Sequence, residues 1–263
     1  MTAQQLSDHV RIEGAAEHVA VVTIDRPDAR NAVSVAVTEG IDRALQLTES
    51  DDDTWVVILT GAGGKAFCAG ADLKEVAAGR HLSLRTDVGG FAGFVNYPRA
   101  KPWIAAVDGF ALGGGCEIAL ACDMIVASRG STFGLPEVLR GLIAGAGGVY
   151  RLARVLPRNL AYELIATGLP LPAAAAHEHG MVNRLAPDGE ALAQAVELAK
   201  TICNAAPVAV RESLKVARQA LDLDDASLRR VMNEARERNA AAEDHKEGPR
   251  AFLEKRPPRW VGR

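Results

Sequence analysis

Two glutamates, Glu117 and Glu137, stand twenty residues apart in a stretch, Ala105 to Glu137, that is otherwise apolar and glycine-rich. Glu117 follows Gly113, Gly114 and Gly115 and precedes Ile118, Ala119, Leu120 and Ala121, so a helix starting here carries its carboxylate inward. A buried carboxylate without partners is costly and holds its proton more tightly than one in water. Glu137 follows Pro136 in a turn and leads to Gly141 and the cluster Gly145, Gly147 and Gly148, where backbone can come close to a ligand. Two carboxylates facing one ligand can serve as a general acid and a general base. The same residues also read as structural ion-pair partners, with Arg140 or Arg151 at hand. Spacing alone leaves both readings open.

Three glycine segments surround this pair: Gly61 to Gly64, leading into Phe67-Cys68-Ala69-Gly70-Ala71-Asp72-Leu73, then Gly113 to Gly115, then Gly145 to Gly148. None has the register of a dinucleotide fold or a phosphate loop, and no nucleophile elbow is present, which argues against nucleotide, hydride and serine-hydrolase chemistry. A glycine run that ends a strand and opens a helix turns free backbone N–H groups toward a developing anion. Gly114 occupies that place, and the Ala69-Gly70-Ala71 turn can supply a second donor. The competing reading is that these glycines only permit tight turns. Lys65 and Lys74 flank the Ala69-Gly70-Ala71-Asp72 turn, either solvated or placed to meet phosphates. The histidines form no metal-ligand set, because His177 and His179 fall on different faces of a helix, and we expect no metal.

Positioning such groups takes a scaffold of strands and helices. Val19 to Ile24, Trp55 to Leu59, Ile104 to Val107, Met124 to Ala127 and Met181 to Leu185 read as buried strands. Ser34 caps a helix whose apolar residues Val37, Ile41 and Leu45 recur every four positions, and the run Asp51 to Asp53 ends it. This alternation predicts an α/β layer architecture. Beyond Ala186 the pattern is helical: Gly189 to Asn204, a helix led by Pro207, then Asp225 to Ala242. We divide the chain at residues 1–204 and 205–263. The ending Glu247 to Arg263 places Phe252 and Trp260 among cations beside Pro257-Pro258, an arrangement that suits packing on another subunit.

Composition narrows the classes. With 263 residues, 48% of them hydrophobic, the chain can bury a large core. A net charge of −3 offers no broad positive field for a nucleic acid. Asp108, Glu117, Asp123 and several glycines interrupt the longest apolar tract, so no membrane span is expected. Cys68, Cys116, Cys122 and Cys203 lack disulfide or metal spacing and read as reduced cytoplasmic thiols, and the N-terminus reads as no signal peptide.

The segments IDRPDARNAVS (Ile24 to Ser34), LTGAGGKAFCAGADLKE (Leu59 to Glu75), KPWIAAVDGFALGGGCEIALACD (Lys101 to Asp123), FGLPEVLRGLIAGAGG (Phe133 to Gly148) and EGPRAFLEKRP together resemble the enoyl-CoA hydratase/isomerase (crotonase) superfamily over nearly the whole chain. The resemblance implies a crotonase-like spiral of ββα turns, with C-terminal helices that assemble a homotrimer or a dimer of trimers. It puts the acid/base pair on Glu117 and Glu137, with Glu137 as general base, and the oxyanion-hole amides on Ala71 and Gly114. Gly145 falls where the reacting water is positioned. Coenzyme A, part of the substrate and not a separate cofactor, would enter beside Ala29, Arg30, Lys65, Ala69, Asp72, Leu73 and Lys74, with Phe252 and Lys255 reaching the coenzyme site of an adjacent protomer. Two retained carboxylates favour hydration over isomerase or thioesterase members and over a non-catalytic acyl-CoA-binding one, and the acidic charge balance argues against an RNA-binding one. The segments GFAG (Gly90 to Gly93), FGLPE and RLARVLP also resemble carnitinyl-CoA dehydratase. Asp108, Ala144 and Val149-Tyr150 depart from the usual asparagine, proline and Thr-Gln and leave the acyl preference open.

Overall fold

The computed structural model describes residues 1–263. Its main sheet has seven strands, β1 (Gln4–Ser7), β2 (Val10–Ala16), β3 (Val19–Ile24), β4 (Val56–Gly61), β8 (Trp103–Val107), β10 (Met124–Ser128) and β13 (Arg184–Ala186), in that spatial order. The first three form an antiparallel meander, and from β3 onward every neighbour is parallel. Parallel strands are covered on both faces, which is why β3 reads as an unbroken run of buried residues. Val19 and Val21 point to one core and Ala20, Val22 and Ile24 to the other.

A second, smaller sheet runs β12 (Leu171–Pro172), β11 (Thr132–Gly134), β9 (Phe110–Leu112), β5 (Ala66–Cys68), and a short ribbon pairs β6 (Arg85–Thr86) with β7 (Gly90–Phe91). The chain repeats one path: a main-sheet strand, a strand of the second sheet, a helix. β4 and β5 lead to α2 (Leu73–Ala77), and β8 and β9 lead to α3 (Gly114–Ala121). β10 and β11 lead, after a 3-10 turn at Pro136–Arg140, to α4 (Gly148–Val155) and α5 (Arg158–Thr167). This is the ββα spiral expected from the motifs. Helix α1 (Val35–Ser50) crosses over between β3 and β4, capped as expected by Ser34, whose side chain accepts from Val37 N at 3.3 Å.

After α6 (Ala173–Glu178) the chain is helical apart from β13: α7 (Ala191–Cys203), α8 (Pro207–Ala217), α9 (Asp225–Ala241) and α10 (Asp244–Leu253). The strand expected at Met181 to Leu185 is shorter and later, because Met181 and Val182 are consumed in a turn that hydrogen-bonds back to Ala176. Helix α7 covers the back of the main sheet through Ala195 and Ala199. Trp260, in the ending expected to pack on another subunit, also makes contacts within its own chain. It folds back onto the same chain, packs beside that core and donates its indole N–H to Asn204 O at 2.9 Å. No helix is long and apolar enough to cross a membrane.

Candidate active site

Glu117 lies in the first turn of α3 and is 3% exposed. Gly113, at φ 55°, turns the chain from β9 into the helix, a conformation that favours glycine. The carboxylate is held by main chain only: Oε1 accepts from Ala146 N at 2.7 Å and from Gly148 N at 2.8 Å. Glu137 stands in the 3-10 turn that Pro136 begins and Gly141, at φ 68°, ends. Its Oε2 is buried and has no hydrogen-bond partner. A β-carbon added at Gly113 would meet Glu137 Oε1 at 3.0 Å, and one at Gly148 would meet Glu117 Cγ at 2.8 Å. Both carboxylates therefore converge on the glycine-bounded start of α3.

The ion-pair alternative fails on geometry. Arg140 turns back to Pro136 O, and Arg151 spends its guanidinium on the carbonyls of Ala146 and Val95. Burial, unopposed by a salt bridge, raises both glutamates above the ordinary carboxylate value. For Glu117 the two N–H donors oppose that rise and the neighbouring charge of Glu137 adds to it. For Glu137 the opposing influences are its own backbone and Arg140.

Two unused backbone donors face this region. Val33 pairs with the turn after β5, donating to Gly70 O at 2.8 Å and accepting from Asp72 N at 2.9 Å, which leaves the intervening N–H of Ala71 without a partner in the fold. The N–H of Gly114 is likewise free, as expected of a first-turn residue. The turn and the helix start touch: a β-carbon at Gly70, whose φ is 94°, would sit 3.1 Å from Gly114 N. Asn31 fixes the loop behind them. Its amide donates to Ala62 O and Ala66 O, and its Oδ1 accepts from Arg26 N at 2.9 Å. Gly145 is exposed and contributes no N–H bond to the fold, while its neighbours Ala146 and Gly148 hold Glu117.

The positions assigned to coenzyme A fall into three groups. Ala29, Arg30 and Ala69 are adjacent, since Ala69 N donates to Arg30 O, and Lys65, Leu73 and Lys74 are exposed around the same loop. Asp72 is different. It is buried, caps α2 through Lys74 N and pairs with Arg26 at 2.6 Å, so its side chain builds the loop. Phe252 and Lys255 are exposed at the end of α10, which packs on α9 rather than on this loop. A groove of about 540 Å³ beside α9, lined by Asn233, Arg236, Glu237 and His245, shares no residue with the glutamate site.

Sequence reasoning gave Phe91 no place at the site and considered Arg151 only as an ion-pair partner. Phe91 of β7 lies across the start of α3, where a β-carbon on Gly114 would come 2.4 Å from its ring. Arg151 stitches the glycine loop to the Phe91–Val95 turn. Neither role has a local signal, because Phe91 meets Gly114 and Arg151 ties its own loop to Val95, both distant in sequence.

Fold and site together are those of an enzyme built on a ββα spiral, with two buried glutamates beside two unpartnered main-chain N–H groups. The chain belongs to the enoyl-CoA hydratase/isomerase family, whose model matches residues 14–263. It is 39% identical to mevalonyl-coenzyme A hydratase of Aspergillus fumigatus over 92% of this chain and 91% of that protein. It is 38% identical to carnitinyl-CoA dehydratase of Proteus mirabilis over 92% of this chain and 94% of that protein. Among solved structures, enoyl-CoA hydratase from Mycobacterium tuberculosis superposes with a TM-score of 0.92 at 43% identity, covering 97% of this chain and 99% of that one.

Proposed function

We propose that this protein is an enoyl-CoA hydratase that adds water reversibly across the C2=C3 bond of a 2-enoyl-CoA thioester. One observation carries the reading: two carboxylates without cationic partners converge beside two free backbone N–H groups. The thioester oxygen sits between the N–H groups of Ala71 and Gly114, which stabilise the enolate-like charge that develops when oxygen adds to C3. Each such donor contributes about 3 kcal/mol in comparable sites. Glu117, Glu137 and the N–H of Gly145 hold the water over C3.

The hydrogen bonding supports a different division of labour from the one the resemblance implied. Donors to a carboxylate favour its charged form, and Glu117 has two, whereas Oε2 of Glu137 has none. Glu117 is accordingly the base that takes a proton from water as its oxygen bonds to C3. Glu137 carries the proton delivered to C2. The charges balance: one proton enters the pair and one leaves it.

The same groups run in reverse eliminate water, and the relationship to carnitinyl-CoA dehydratase makes that the second reading. Loss of absorbance at the conjugated enoyl-thioester band on adding crotonyl-CoA tests hydration, and a panel of enoyl-CoA and carnitinyl-CoA thioesters separates the two substrates. If no thioester of the panel reacts, the proposal fails. Assembly as a homotrimer or a dimer of trimers, implied by the sequence motifs, and a cytoplasmic location, read from the free cysteines, belong to this reading, with coenzyme A carried by the substrate.

A further inference from the structure

Arg151 brings a positive charge into the wall of the site and meets no carboxylate there. It lies in the first turn of α4, half-buried, and both terminal nitrogens go to main-chain carbonyls: Nη1 to Ala146 O at 2.8 Å and Nη2 to Val95 O at 2.6 Å. These two carbonyls belong to segments that the reaction needs in register. Ala146, whose carbonyl Arg151 holds, presents its N–H on the preceding peptide to Glu117. The turn ending at Val95 begins at Phe91, whose ring lies across Gly114, and Val95 N donates back to Phe91 O. A planar guanidinium can hold two carbonyls at a fixed angle, which an ammonium cannot.

We infer that Arg151 is a positioning residue of the hydration site: its guanidinium locks Ala146, whose N–H serves Glu117, to the Phe91–Val95 turn, and it holds a positive charge that no carboxylate neutralises in the wall of the site. The inference rests on the reading of Glu117 as the base. The charged and titratable groups that bear on it can be named. Glu137 opposes ionisation of Glu117 and Arg151 favours it, while Arg140 acts on Glu137. Around Arg151 itself stand Arg99, which binds the carbonyls of Phe94 and Ala121, the thiol of Cys122, which burial pushes up to about 12, and the ring of Tyr150, 5.1 Å from the guanidinium carbon. None of these is an anion that would consume the charge of Arg151.

Three variants separate the clamp from the charge. Arg151→Lys keeps the charge and loses the fork, Arg151→Met loses both, and Arg151→Gln loses the charge while keeping a donor. We expect Arg151→Met to lower kcat/KM about a hundredfold, the cost of roughly ångström-scale misplacement, and to move the acid limb of the pH profile upward by about half a unit or more. Arg151→Lys should lower kcat with the acid limb in place. Isotope-edited infrared titration of the Glu117 carboxylate, with Glu117→Gln protein subtracted, should show the same upward shift in Arg151→Met and none in Arg151→Lys. Should Arg151→Met fail to fold, Arg151→Gln gives the charge comparison. An unchanged Glu117 titration on loss of the charge overturns the inference, as does wild-type kcat/KM in Arg151→Met. The infrared measurement needs no turnover, so a protein that hydrates no enoyl-CoA would sink the hydration reading while leaving the role of Arg151 decided.

Discussion

The ring of Phe91 lies so close to the α-carbon of Gly114 that a β-carbon there would sit 2.4 Å from Cε1. Glycine at 114 therefore does two things: it presents an N–H at the start of α3, and it makes room for the aromatic wall above it. Alanine, which keeps the N–H, is no neutral change here. Gly114→Ala should lower kcat/KM at least tenfold, and Phe91→Ala in the same chain should recover part of that loss, a coupling expected of residues in contact. Enoyl-thioester absorbance assays of the two singles and the double make the cycle. Additive losses would show that Phe91 and Gly114 act separately.

Glu117→Gln and Glu137→Gln should each lower kcat more than a hundredfold with the fold intact, since acid/base groups contribute about 10² to 10⁴. Circular dichroism accompanies the assay. Near wild-type turnover in either folded variant removes that residue from the mechanism.

Stability should respond to pH through the same buried pair. Burial holds Glu137 above its ordinary value of 4.5, so the folded protein keeps a proton that the unfolded chain has released, and stability falls as pH rises through that window. Glu137→Gln removes the group. Its Tm should exceed wild type at neutral pH, and the gain should fade on acidification to roughly the unfolded value. A Tm difference independent of pH would contradict the burial argument.

The opposite sign governs the tail. Arg256 and the N–H of Arg259, with Arg250, hold Glu247 down at about 2. The stability this gives is present above the ordinary 4.5 and is lost as pH falls toward 2. Trp260, which packs beneath this cluster against Gly248, is the reporter. Its fluorescence should change between those pH values in wild type and should already be changed at neutral pH in Glu247→Gln.

Phe252 is 84% exposed and Leu253 80%, adjacent apolar side chains on α10 with no cover from their own chain. Such residues mark contacts between molecules. Light scattering should find a trimer or hexamer at micromolar concentration, and Phe252→Ser with Leu253→Ser should shift it to smaller species. A monomeric wild type would end this expectation.

Much of the scaffold is legible in sequence where periodicity is long and caps are polar. β3 runs from Val19 to Ile24 as read, Ser34 caps α1, and Pro207 opens α8. What escaped is short or distant. Strands β5, β9 and β11 have three residues each, too few for an alternating pattern to register, and their pairing lies between segments far apart in the chain. The charge of Glu117 is legible in its apolar surroundings, but its donors at Ala146 and Gly148 follow only from the fold. Asp72 sits in a motif read for ligand contact, yet its side chain is committed to Arg26.

That Glu117 is oriented by peptide N–H groups rather than side chains has a bearing on how such an enzyme diversifies. A main-chain donor survives most substitutions at its own position. The exposed side chains of Leu139, Leu142 and Ile143, on either side of the Gly141 that the turn requires, are thus free to change while Glu117 keeps its aim. Directed libraries at those three positions can vary that surface one side chain at a time, with the main-chain hold on Glu117 inherited unaltered.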